Sequence, residues 1–130
     1  MMINWLAVTA AALSGFVLGG LWYGTLFGRA WMKAAEISEE RARGGNKAMI
    51  FGGAFVLSLI ASASFAVFLG PTVTLVQGTL YGFTAGLCWV AASYGISYLF
   101  ERRSLMLFLI NGGYHTVQFT LIGAILGAWR

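Results

Sequence analysis

The chain has one cysteine, one proline, one histidine and no aspartate in 130 residues. A lone Cys88 excludes an intrachain disulfide and a Cys-x-x-Cys redox pair, and it reads as a small buried packing residue. Without aspartate there is no Ser-His-Asp arrangement. Neither a Walker loop nor a dinucleotide fingerprint appears. One His, with no carboxylate in the apolar segments, does not supply the three or four ligands of a zinc site. The expectation is no metal and no cofactor. Charge is the scarcest commodity: 9% of residues against 59% hydrophobic, where soluble domains carry roughly a quarter charged.

What charge there is sits at the ends of apolar runs. Residues 1–28 carry none, and none occurs from Ala48 to Phe100. A bilayer's hydrocarbon core needs about 20 helical residues to cross, so the central run is long enough for two crossings. Its only proline divides it at Gly70-Pro71-Thr72, where Gly ends one helix and Pro suits the first turn of the next. The spacing predicts an all-α integral membrane protein, a single domain over 1–130. Its four transmembrane helices run over about 3–28, 48–70, 72–100 and 104–129, with a charged loop at 29–47. The segment before Trp5 lacks Lys and Arg, and the run from Ile3 to Phe27 is long, which favours a retained helix over a cleaved leader.

The loop holds Arg29, Lys33, Glu36, Glu39, Glu40, Arg41, Arg43 and Lys47. Ser38 is placed to cap a short helix that Gly44-Gly45 stops, and Trp31, Met32, Ala35 and Ile37 form an interfacial segment or a solvated connector. Basic residues distributed in this way set membrane orientation rather than bind nucleic acid. Seven of the eight fall in loops 29–47 and 101–103, and only Arg130 lies opposite. The positive-inside rule puts both loops in the cytoplasm and both termini outside.

Small residues recur every four positions in each helix. Ala7, Ala11, Gly15 and Gly19 mark the first; Ala54, Ser58, Ser62 and Ala66 the second. Gly78, Gly82 and Gly86 mark the third; Gly112, Thr116, Thr120 and Ala124 the fourth. Such stripes let backbones approach in lipid, and four of them point to contacts beyond one subunit, hence a homo-oligomer. A faint echo, Gly20-Leu21-Trp22 against Gly86-Leu87-Cys88-Trp89, suggests two parallel helical-hairpin repeats.

Chemistry at depth gathers on the fourth helix. Asn111, Tyr114, His115 and Gln118 are three or four apart and share a face, which should turn inward because polar groups in hydrocarbon need partners. Candidate partners on the third helix are Tyr81, Thr84, Cys88, Ser93, Tyr94 and Ser97. The face serves as interhelical glue or as a pocket for a small or lipid-like ligand. A small channel or carrier is the alternative. A membrane enzyme acting on lipid or quinone is disfavoured, because acid/base work needs a second titratable partner. No Asp or Glu lies in any predicted span, which removes carboxylate-based multidrug pumps.

The block Gly19-Gly20-Leu21-Trp22-Tyr23-Gly24 with Phe27-Gly28 and Trp31, the early Asn4-Trp5 and the late Gly113-Tyr114-His115 resemble the family catalogued as domain of unknown function 1761. The resemblance implies a small bacterial four-helix protein of the inner membrane with no assigned activity. It adds Trp22, Tyr23 and Trp31 to Asn111, Tyr114 and His115 as residues of interest, without roles.

Overall fold

The computed structural model describes residues 3–129. Four helices in it are long and apolar enough to cross a membrane: Trp5–Leu26, Lys47–Leu69, Leu75–Glu101 and Leu105–Ala128. The described residues hold helices and turns with no strand. The fold class is therefore the one expected, with helix limits shifted by a few residues. Arg130, the one basic residue expected on the opposite side, lies outside the described residues.

The first crossing is α1 (Trp5–Gly19) continued by a π-helical stretch, Gly20–Leu26. Asn4 caps it, its side chain accepting from the Ala7 N–H. The helix breaks at Phe27 and restarts as α2 (Gly28–Ala35), which is strongly amphipathic and rests against the fourth crossing. The segment is thus helical and packed on the bundle at Gly28–Ala35. Ser38 caps α3 (Glu39–Arg43) by accepting from the Arg41 N–H. The second crossing, α4 (Lys47–Leu69), begins on an Asn46 cap and ends at Gly70, whose φ of 80° only glycine adopts freely.

Thr74 and Gln77 form a capping box that starts α5 (Leu75–Thr84). This helix runs through a second π-helical stretch, Ala85–Ala91, into α6 (Ala92–Glu101). The fourth crossing, α7 (Leu105–Ala128), is capped by Ser104. Both π stretches fall on the Gly-Leu-…-Trp echo. The helices that follow the two π stretches, α2 and α6, are each closed by a left-handed residue, Glu36 or Arg102, followed two positions later by a Ser cap.

The fourth crossing lies at the centre, packed on α5 and on α1, while α4 packs mainly on α1. The buried core, Ala7, Val8, Ala11, Phe65, Ala85, Ile122 and Leu126, occupies the half of the bundle away from the charged loop. At that end the Asn4 amide donates to the Trp129 carbonyl (3.2 Å). At the other, the Arg103 guanidinium donates to the Ala35 carbonyl (3.1 Å). The two basic loops therefore meet on one face. Cys88 is exposed on the flank of the bundle. The expectation of a buried packing thiol is corrected: Cys88 stands two residues beyond Gly86, roughly opposite the glycine face that packs on α7.

Candidate functional site

The third and fourth crossings make the closest backbone approach. A Cβ built at Gly78 would collide with the Gly123 carbonyl, one at Gly82 with the Phe119 carbonyl, and one at Gly86 would lie 2.7 Å from the Thr116 Cα. On the first crossing the smooth face admits side chains instead. A Cβ at Gly15 would lie 3.0 Å from Nε2 of Gln118, and one at Gly19 would lie 3.5 Å from the Tyr114 hydroxyl.

Those side chains belong to the polar face of α7, which does turn inward. The Tyr23 hydroxyl donates to Oδ1 of Asn111 (2.6 Å), and Nδ2 of Asn111 donates to the Tyr98 hydroxyl (2.7 Å). One amide thus ties three crossings together. The Tyr114 hydroxyl donates to the Gly15 carbonyl (2.9 Å), and the Trp22 indole N–H donates to the Ile110 carbonyl (2.9 Å). Nδ1 of His115 lies 2.8 Å from Oε1 of Gln118. That oxygen can only accept, so Nδ1 carries the proton.

Aromatic rings fill the space around these bonds. Tyr94 stacks on His115 (centroids 5.0 Å apart, 14° between planes). Tyr114 meets His115 in a T-shaped contact at 4.9 Å, and Tyr23 touches both Tyr114 and Trp31 at 5.3 and 5.5 Å. Between this cluster and α4 lies a cavity of about 850 Å³. It falls within the roughly 300–1,000 Å³ typical of small-molecule sites. Tyr23, Tyr94, Asn111, Tyr114 and His115 form its polar wall; Phe16, Phe51 and Ala54 its apolar one; Glu39 and Arg43 stand at the loop end.

Among the residues singled out from the sequence, Tyr23, Trp31, Asn111, Tyr114 and His115 line this one space. Trp22 sits behind it, its ring against Gly113, and Gln118 is buried beneath His115. Of the candidate partners on the third crossing only Tyr94 joins. Thr84 and Ser93 donate to carbonyls of their own helix, and Tyr81, Cys88 and Ser97 are exposed. Tyr98, which binds Asn111, was missed, although it stands one helical turn beyond Tyr94 on the same face. Among the described residues no three His, Cys, Asp or Glu side chains are grouped to hold a metal.

The family described as proteins of unknown function, DUF1761, matches this chain over residues 6–127. No curated protein and no solved structure matches it.

Proposed function

The chain belongs to the DUF1761 family of membrane-spanning proteins, and on that premise we propose that it is a non-enzymatic binding protein of the bacterial inner membrane. Its cavity takes an amphipathic, lipid-like molecule from the cytoplasmic side. The observation that carries this reading is the cavity itself, with Tyr23, Tyr94, Asn111, Tyr114 and His115 on one side, the mostly apolar Ile50, Phe51 and Ala54 of α4 on the other, and Glu39 and Arg43 of the charged loop in its lining. The polar residues of α7 stop at Gln118, and beyond it Ile122 and Leu126 are buried in the apolar core. Polar residues that stop partway along α7 favour binding over conduction by a channel or carrier, which needs a continuous polar path.

Self-association through α4 belongs to the same reading. Only 11% of its most apolar window is buried, against 28% for the first and fourth crossings, and Gly52 and Gly53 face open space. A monomer mass in mild detergent, with no inter-subunit crosslinks in native membrane, would remove this part.

The binding part is tested by mass spectrometry of molecules retained through gentle purification. One amphiphile should be held in near-stoichiometric amount by the wild-type protein. Ala54→Trp, which places an indole in the cavity from the α4 wall, should lose it while the thermal midpoint is kept. Equal amounts of bulk phospholipid on both proteins, and nothing else, would overturn the reading.

A further inference from the structure

We propose that the cavity selects a neutral, mostly apolar molecule bearing a free hydroxyl, which donates to Nε2 of His115 and accepts from the hydroxyl of Tyr94. The inference rests on the cavity-binding reading above and specifies its ligand. It follows from an inventory of hydrogen-bonding groups at the deep end. Tyr23 gives its proton to Asn111, Asn111 gives an amide proton to Tyr98, and Tyr114 gives its proton to the Gly15 carbonyl. His115 uses Nδ1–H on Gln118, so the neutral ring presents Nε2 as a bare acceptor. Neither Nε2 nor the Tyr94 hydroxyl has a hydrogen-bond partner among the described residues. Neither atom is sealed from the surface, and both residues line the cavity.

The two rings are stacked with their centroids 5.0 Å apart, and the proposed hydroxyl bridges the acceptor on one to the donor on the other. A single hydroxyl satisfies both. An ether, ester or ketone satisfies only the donor and leaves Nε2 unpaired. An anion has no counter-charge there: among the described residues the one cation that lines the cavity, Arg43, stands at its mouth and is paired with Glu39 at 2.9 Å. Placing a charge about 15 Å into α7, the rise from Leu105 to His115, is costly. Trp31 and Ser58 also line the space, and their polar groups suit a second oxygen on the ligand. Long-chain or isoprenoid alcohols and reduced quinones share this chemistry.

The test uses the full chain in nanodiscs and displacement of radiolabelled farnesol by unlabelled farnesol, farnesyl methyl ether, farnesyl phosphate and decylubiquinol. Saturable farnesol binding is expected, with the methyl ether about tenfold weaker, the effect of one site group left unpaired, and the phosphate at least tenfold weaker because its charge meets no counter-charge. Tyr94→Phe loses no intramolecular hydrogen bond and should fold normally. It and His115→Phe should both bring farnesol down to the methyl ether's affinity. Decylubiquinol competing better than farnesol would assign the phenolic source, and competing worse the alcohol. If the ether binds as tightly as farnesol, or the phosphate binds most tightly, hydroxyl selection is overturned while cavity binding stands. If no probe binds saturably, or Ala54→Trp leaves binding intact, both readings fall.

Discussion

Asn111 carries more of the architecture than any other polar side chain, because its one amide accepts from the first crossing and donates to the third. Interhelical hydrogen bonds in membranes average about 0.6 kcal/mol, so Tyr98→Phe should cost about that much. Asn111→Leu strands two hydroxyls at once and should cost about 1–2 kcal/mol, read as reversible unfolding in mixed micelles. Combining Asn111→Leu with Tyr23→Phe should cost less than the sum of the two, since the second change removes a group the first has already stranded. Ser62 is the opposite case. It is fully buried, and its Oγ has no hydrogen-bond partner. Ser62→Ala removes a polar group without opening a cavity larger than one oxygen and should be neutral or stabilising by up to about 1 kcal/mol. A loss of more than that would mean the hydroxyl has work the described contacts do not account for.

At the scale of helices, the same small residues serve two purposes, and only the partner distinguishes them. Gly82 and Gly86 face the backbone of α7, which cannot yield, whereas Gly15 faces the end of Gln118, which can. Gly82→Ala should therefore cost more than about 2 kcal/mol through overpacking, while Gly52→Ala, with open space around it, should cost nothing and stabilise by up to about 1 kcal/mol through helix propensity. Equal effects at the two positions would contradict this assignment of α5 against α7. The period of four residues was legible in the sequence; what each stripe would meet was not, because a stripe states its own smoothness and nothing of its neighbour. The inward turn of Asn111, Tyr114 and His115 could be read from burial cost alone. Tyr98 could not be singled out, since the third crossing offers hydroxyls on several faces and the π stretch at Ala85–Ala91 shifts the register of all that follow.

Across the whole molecule the two hairpins share their devices and differ in one insertion. Each has a π stretch, then a left-handed residue, then a Ser cap two positions on. In the second hairpin Ser104 caps the returning crossing directly, and that crossing packs along the glycines of α5. In the first, Ser38 caps only the short α3, and α4 starts later on Asn46. The extra connector carries Glu39 and Arg43 to the mouth of the cavity, and α4 leaves beside α1 the space that α7 fills beside α5. The cavity is thus the consequence of asymmetry between two otherwise matching pairs. Charge placement alone anticipated which loops lie together, and the bond from Arg103 to the Ala35 carbonyl joins them. The side of the membrane they occupy is open to direct measurement. In a Cys88→Ala background, Ala42→Cys and Glu101→Cys should react with an impermeant maleimide only after cells are permeabilised. Thr72→Cys, in the turn between α4 and α5, should react in intact cells. Reversed labelling of all three would keep the fold and invert the orientation, moving the cavity mouth to the outer leaflet. Labelling of Ala42→Cys and Thr72→Cys from the same side would mean that α4 does not cross the bilayer at all.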